Sequence, residues 1–322
     1  MMHQTSGHQV GIPQHTPIVS VIMPCYNSAE TIRDSIASVQ DQTMESWELI
    51  IVDDGSRDGT ADVVMSERYT RTRVFKQNNE GSASARNRGL LEAQGQFIAF
   101  LDADDAWEPT FLERMHDALA SDEGAVLAYC GWQNLGLKGG RGKPFIPPDY
   151  EPLDRAETFL GGCRWPIHGA LVRKTAIDQS GGFDPKLQAS VDYDLWLRVV
   201  TQGRLVLVPE VLAYYVHHEG IQITKNRSKV ALNHLRAQEK FIACNPYVVQ
   251  ALGKRRVREL TEGELLNRAY ICYWDRDLLS ARTLFRHVMR RRYGRPKDWL
   301  YMLPSLLPYK VHAMLLDGRD GE

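Results

Sequence analysis

Phe97-Ile98-Ala99-Phe100-Leu101-Asp102-Ala103-Asp104-Asp105 is an apolar run that ends in three carboxylates within four residues. The run is too short for a typical helix and reads as a buried strand, with the acids at its carboxyl end. Like charges at this spacing repel, and leaving them buried without a partner is costly. A divalent cation suits such oxygen-only ligands. An Asp-rich turn capping the next helix accounts for the same residues. The surrounding chain bears on the choice.

Upstream, Ile18–Met23 is β-branched and apolar, stopped by Pro24, and reads as a first buried strand. Ile32, Ile36 and Val39 then recur at helical spacing, with Asn27 or Ser28 as the expected N-cap. Glu48–Val52 is a second strand ending in Asp53-Asp54-Gly55-Ser56, and Asp58-Gly59-Thr60 turns into a helix over 62–68. Arg73–Lys76 is a third strand, and Ser82 is expected to cap a helix that Gly95 ends. The pattern is β-α-β-α-β-α-β, which predicts an α/β fold with a mostly parallel central sheet covered on both faces. Right-handed crossovers bring every strand's carboxyl end to one edge, where such sheets bind ligands. Tyr26, Asp53, Asp54, Asn78, Glu80 and Asp102–Asp105 are thereby predicted to share one rim, which favours a binding role for the acidic cluster. Neither GxGxxG nor GxxxxGK[ST] follows a strand, so a nucleotide here would be held by a metal rather than by a glycine-rich helix start. Tyr26 can stack on a base, Asp53 or Asp54 can accept from a base N–H, and Arg86 can face phosphate or form a surface ion pair.

The 322 residues suit one large domain or a domain with an appendage, and a net charge of −1 gives no sign of a nucleic-acid binder. Five scattered cysteines without a CxxC pair favour free thiols in a reducing cytoplasm and no structural zinc. Met1–Thr16 is polar, reads as a flexible segment, and lacks the features of a signal peptide; no apolar run is long enough to span a membrane.

Past Trp107, a helix carries Phe111, Leu112, Met115 and Leu119, and Ala125–Tyr129 is a strand. Residues 131–148 are Gly-, Lys- and Pro-rich and predict an irregular excursion. Ile167–Val172 reads as a strand and Lys174–Gln179 as a short helix. Gly181-Gly182-Phe183-Asp184-Pro185 is a tight turn before a helix whose first turn holds Asp192 and Asp194, an arrangement the helix dipole alone favours. Leu205–Pro209 and Leu212–His218 read as two strands, the latter ending in a His pair that is either exposed loop or a metal ligand. From Lys229 onward the pattern is helical: 232–242, 248–267, 268–274 and 278–289. The chain thus divides into a segment 1–16, an α/β domain 17–225 with halves 17–105 and 106–225, and a helical region 226–322. Basic residues between Arg286 and Lys297, followed by the apolar, proline-broken Trp299–Tyr309, suit peripheral contact with an anionic membrane, a homodimer contact, or a small core of their own.

Six stretches appear together and in order: Val19–Asn27, Val52-Asp53-Asp54-Gly55-Ser56, Ala85-Arg86-Asn87-x-Gly89, Leu101–Asp105, Gly181-Gly182-Phe183-Asp184 and Asp192–Arg198. In this the chain, over about residues 17 to 220, resembles a family 2 glycosyltransferase, an inverting enzyme with the Rossmann-like GT-A fold, here with a C-terminal helical appendage. The resemblance implies a nucleotide-diphosphate-sugar donor, commonly a UDP-sugar, and a glycan or lipid-linked acceptor for cell-surface polysaccharide. Asp102-Ala103-Asp104 would be the DxD motif, with Asp104 on Mg2+ or Mn2+ and Asp102 on the ribose or metal. Pro24, Tyr26 and Asn27 would line the nucleotide pocket with Asp53, Asp54, Arg86 and Ala103. Asp192 would be the general base, although Val191 stands where the family more often has Glu. His217 is the candidate further metal ligand, in a strand reading Tyr214-Tyr215-Val216-His217 where the family often has Tyr-Arg-Val-His. Gly182, Trp165, His168 and Trp196 fall in the expected donor- and acceptor-sugar region. The competing readings are a non-catalytic nucleotide-sugar-binding or assembly subunit and a sugar nucleotidyltransferase. The latter's Gly-rich basic loop is replaced by Pro24-Cys25-Tyr26-Asn27. A cytoplasmic enzyme, in solution or at the inner face of the membrane, is the implied setting.

Overall fold

A computed structural model describes residues 8–9, 16–67, 69–137, 139–217 and 226–317. The segment expected to be flexible, 1–16, lies outside them except for His8, Gln9 and Thr16, as does His218. Contacts divide the chain into two units. One comprises the described residues within Met1–Arg155, Cys163–Leu187 and Arg198–Glu219. The other comprises those within Ala156–Gly162, Gln188–Leu197 and Gly220–Glu322.

The first unit is built on a sheet whose strands are β1 (His8–Gln9), β2 (Val19–Cys25), β3 (Trp47–Asp53), β4 (Thr72–Lys76), β5 (Phe97–Phe100), β6 (Ala106–Trp107), β7 (Ala125–Leu135), β8 (Ala170–Arg173) and β9 (Arg204–Val216). Their spatial order is β1-β4-β3-β2-β5-β8-β7-β9-β6. β4, β3, β2 and β5 run parallel, as does β9 with β7, whereas β8 runs antiparallel between β5 and β7. Helices α1 (Ile32–Gln40), α2 (Thr60–Ser66), α3 (Ser82–Glu92) and α4 (Phe111–Ala120) are the crossovers, whereas of the next three helices, α5 (Arg155–Leu160), α6 (Lys174–Ser180) and α7 (Val191–Val199), only α6 lies wholly in this unit and the other two fall mostly in the second. β2 and β3 are buried at every position, as expected of mostly apolar strands in a sheet covered on both sides, and the buried Ser20 hydroxyl donates to Glu48 (2.7 Å). Ile32, Ile36 and Val39 bury the α1 face; α3 comes close because Gly89 has no Cβ, which would lie 2.4 Å from Ile22.

Several boundaries differ from the sequence reading. α1 begins after Thr31 and α3 after Gly81, neither with a side-chain cap, so Asn27, Ser28 and Ser82 are not caps. β2 continues through Pro24, beyond the point where its pairing with β5 ends at Ile22–Phe100; with that flank open, the missing N–H is tolerated. β7 extends to Leu135, so the excursion starts later than 131, and Ile167–Gly169 is a 3-10 turn rather than strand. The two strands expected at 205–209 and 212–218 are one. Register passes from Cys130↔Val208 to Gly131↔Val211, leaving Pro209 and Glu210 in a bulge where proline costs no ladder bond.

The second unit contains α8 (Arg227–Cys244), α9 (Pro246–Arg258), α10 (Glu264–Trp274), α11 (Leu278–Arg290), α12 (Pro296–Met302) and α13 (Tyr309–Asp317). Leu235, Leu265, Ala269, Leu284, Phe285 and Val288 form its core. The single helix expected over 248–267 is interrupted by Gly253, at φ +75°, and by a π turn over Glu259–Gly263.

Candidate active site

The loops following β2, β3, β4 and β5 meet at the carboxyl edge of the sheet, and hydrogen bonds join them. Asn27, at φ +50°, donates its N–H to Ser56 Oγ (2.9 Å), and its Oδ1 accepts from Arg57 N (2.9 Å). Asp58 Oδ2 accepts from Ala29 N (3.0 Å), and Oδ1 accepts from the Thr60 N–H (3.0 Å) and hydroxyl (2.6 Å). Although burial opposes its charge, these donors hold the Asp58 carboxyl below the usual carboxylate range. Asp58 is a brace that sequence reasoning took only for a turn residue.

Pro24 is buried within β2, and Tyr26 stands 47% exposed on the same edge, its ring open to a ligand. Burial pushes the Cys25 thiol up, with Asp53 adding to the shift, so it stays a protonated core residue. Asp53 and Asp54 are both buried. Asp53 Oδ1 accepts from Ser56 N (2.9 Å). Asp54 Oδ1 accepts from Gln77 Nε2 (2.9 Å) and Glu80 N (2.9 Å), and Oδ2 accepts from Gly81 N (2.8 Å). A carboxylate offers about four acceptor positions, so Asp54 has about one left for a ligand. Its visible work is to shape the loop between β4 and α3.

At the end of β5, Leu101 N donates to Ile22 O (3.1 Å), and Asp105 N closes a turn onto Asp102 O (3.1 Å). Ala103 is buried, its carbonyl accepting from Thr31 Oγ1 (2.8 Å). The three acids have separate surroundings. Asp102 is half-buried and receives a charge-assisted bond from Arg86 Nη2. Arg86 is itself buried, its guanidinium 5.5 Å from the centre of the Phe183 ring. It is neither a surface ion pair nor a free cation, because its charge is committed to the acidic loop. Asp104 is half-buried.

Asp105 is not a cap for α4. It is 2% exposed, with Oδ2 2.8 Å from Nδ1 of the fully buried His168 and Oδ1 accepting from Val216 N (2.9 Å). Burial disfavours the imidazolium, yet the Asp105 carboxylate outweighs it, and Asp102 and Asp104 add to the effect, so the His168 pKa is raised. His168 O also accepts from Trp107 Nε1 (2.7 Å). The pair ties the acidic loop to the end of β9. There His217 Nε2 lies 3.2 Å from Asn134 Oδ1.

Gly182, at φ +71°, lies against Asn87, whose Oδ1 would be 2.7 Å from an added Cβ. Asn87 accepts from Phe183 N (2.8 Å) and donates Nδ2–H to Phe183 O (2.8 Å). This clamp explains why an Asn in α3 and a Gly-Gly turn occur together. Trp165 is buried in a stack on Tyr129, with ring centres 4.6 Å apart.

Asp192 belongs to the second unit. It lies half-buried in the first turn of α7, as its position predicts. Its neighbours fix the helix: Tyr193 stacks on His234 at 3.8 Å and donates to Phe159 O (2.7 Å), Trp196 is buried, and the buried Asp194 pairs with Lys240 (3.1 Å).

Among the described residues no three His, Cys, Asp or Glu side chains form a ready-made metal cage, so Asp102, Asp104 and His217 are not gathered into one. A hard cation held by one or two carboxylates plus substrate phosphates needs no such cage, and the half-buried Asp102 and Asp104 are donors of that kind.

The model for "Glycosyl transferase family 2" matches residues 20–179. The putative teichuronic acid biosynthesis glycosyltransferase TuaG of Bacillus subtilis is 33% identical over 191 residues, which are 58% of this chain and 73% of that protein. Among solved structures, S. aureus TarS 1-349 in complex with UDP-GlcNAc superimposes with a TM-score of 0.57 at 17% identity, covering 86% of this chain and 93% of that one. The mannosyltransferase PcManGT from Pyrobaculum calidifontis, in complex with GDP-Man and Mn2+, gives 0.57 at 18% identity, covering 94% and 84%. At these identities the structural likeness establishes the GT-A fold alone.

Proposed function

From the premise that the chain belongs to glycosyltransferase family 2, we propose that it is an inverting, metal-assisted transferase. It moves a sugar from a nucleotide diphosphate, a UDP-sugar in the first instance, to an acceptor hydroxyl in cell-surface polysaccharide synthesis. The carrying observation is the sheet edge, where the half-buried Asp102 and Asp104 follow β5 and the exposed Tyr26 follows the neighbouring β2, with Arg86 bonded to Asp102. The relative named for teichuronic acid biosynthesis and the neighbour holding UDP-GlcNAc support the polymer and the donor class.

In this reading Tyr26 stacks on the base and the remaining acceptor position of Asp54 meets a base N–H. Asp104 and Asp102 would hold Mg2+ or Mn2+, and the chemistry that ion would supply is charge neutralisation of a leaving diphosphate. Arg86 holds the Asp102 carboxylate in orientation. Asp192 accepts the acceptor hydroxyl's proton as that oxygen attacks the anomeric carbon. The carbon–oxygen bond to the diphosphate breaks on the opposite side, so configuration inverts in one step. Gly182 shapes the wall near the transferred sugar, whereas Trp165, His168 and Trp196 are buried and serve packing rather than direct sugar contact.

Screening nucleotide-sugars for thermal stabilisation and nucleoside-diphosphate release tests the donor assignment. Asp192→Asn is expected to fold and bind donor with wild-type affinity while transfer falls by about 100-fold or more, the scale of general-base catalysis. Near-normal turnover of that variant would remove Asp192 as the base.

A further inference from the structure

The C-terminal unit carries a surface that the transfer chemistry does not use. Across Leu278–Asp317, which spans α11 to α13, the sequence has eight Lys and Arg residues and two acids, Asp298 and Asp317. Asp298 is buried and internally engaged, accepting from the Tyr270 hydroxyl (3.0 Å) and Arg295 N (2.7 Å). It cannot neutralise the remaining cations. Among the described residues, the exposed Arg290, Arg292, Lys297 and Lys310 have no carboxylate within ion-pair distance. Arg286 uses its guanidinium on Ser305 O (2.8 Å). Its side chain forms one wall of a groove with Arg290, Met289, Trp299, Leu303 and Leu306.

Large apolar side chains stand among these cations. Leu300 is 66% exposed, Leu306 60% and Met314 71%, with Leu303, Leu307 and Val311 also exposed. Their exposure has a local cause. Pro296 starts α12, Pro304 falls in the 3-10 turn Leu303–Leu306, and Pro308 precedes α13, so the segment is three short pieces. Met302 is drawn into the helical core while the leucines beside it remain outside.

The chemistry selects the occupant. A second copy meeting this face through a two-fold axis would set unpaired cations against identical cations. A polyanion without an apolar phase would leave the leucines in water. A bilayer containing anionic lipid satisfies both, taking the leucines into the acyl boundary and the cations among its headgroups. Among the described residues no helix is long and apolar enough to cross a membrane, so the contact lies in the interface plane.

We propose that the surface formed by α11, α12, the Leu303–Leu306 turn and α13 docks on an anionic phospholipid bilayer. This stands independently of the transfer reaction. The test is co-sedimentation of the full chain with vesicles of phosphatidylcholine alone or with about a third phosphatidylglycerol. Binding is expected only to the anionic vesicles and is weakened by salt. Arg290→Ala and Lys310→Ala are each expected to lower partitioning by about fivefold. Leu303→Glu/Leu306→Glu should abolish binding while the melting temperature and nucleotide-sugar hydrolysis stay at wild-type values. Four results would overturn the proposal: no binding at low salt, equal binding to both vesicle types, undiminished binding by the leucine variant, or a solution dimer that the leucine variant dissociates.

Discussion

Replacing His168 with Leu keeps most of the buried volume but leaves the Asp105 carboxylate, 2% exposed, without its 2.8 Å partner. Breaking a buried ion pair from one side costs about 3–5 kcal/mol. Asp105→Ala also costs the bond from Val216 N, about 1 kcal/mol more. The double variant has no stranded charge, so its loss should fall short of the summed single losses by about 1–3 kcal/mol. The His168 pKa is raised, because the Asp105 carboxylate overcomes the cost of burying the imidazolium. The pair's contribution is therefore complete below the unfolded pKa of about 6.5 and declines as pH rises through the native value. Relative to the double variant, which lacks both groups, wild-type stability should fall across that window. Denaturation of the four proteins at several pH values measures the coupling. Hydrogen exchange in peptides spanning 210–217 reports the Val216 amide directly, with faster exchange expected in Asp105→Ala than in His168→Leu. Additivity of the single losses within about 0.5 kcal/mol, with no pH dependence, would refute the pairing.

Gly182→Ala should destabilise the protein by about 2–4 kcal/mol, since it places a Cβ at left-handed φ and 2.7 Å from Asn87 Oδ1, straining the Phe183 clamp; thermal melts check this. Asn87→Ala, which removes the obstacle and the clamp together, should make the added methyl cheaper, so a double-mutant cycle will be non-additive. Asp54→Asn should cost about 1–3 kcal/mol, because an amide facing the donors from Gln77, Glu80 and Gly81 loses at least one acceptor. Faster hydrogen exchange over 77–81 is the accompanying readout.

How far the sequence carries depends on the range of each interaction. β2, β3 and β5 were legible because a strand buried on both faces is mostly apolar, and this also placed the acidic cluster at the sheet edge. Asp192 in the first turn of α7 followed from the apolar spacing after it. The Asn87–Phe183 clamp was not legible, since nothing local links residues 96 apart. Nor was the His168–Asp105 pair. Asp105 read as a cap because local pattern shows an acid before a helix, whereas its burial depends on β8 and β9 arriving from elsewhere. That Asp54 also braces the loop between β4 and α3 was not legible, because a sequence does not show which backbone N–H groups a loop will turn inward. Pro209 looked like a strand break, although a bulge lets one strand pass through it.

In the proposed reaction the carboxylates ending β5 would hold a divalent cation together with the nucleotide diphosphate. Calorimetric titration of UDP into the protein, with and without Mn2+, tests it most directly, using wild type and Asp104→Ala. Mn2+ is expected to strengthen UDP binding to the wild type and to leave binding by Asp104→Ala unchanged. Equal Mn2+ enhancement in both proteins, or no enhancement in the wild type, would contradict it.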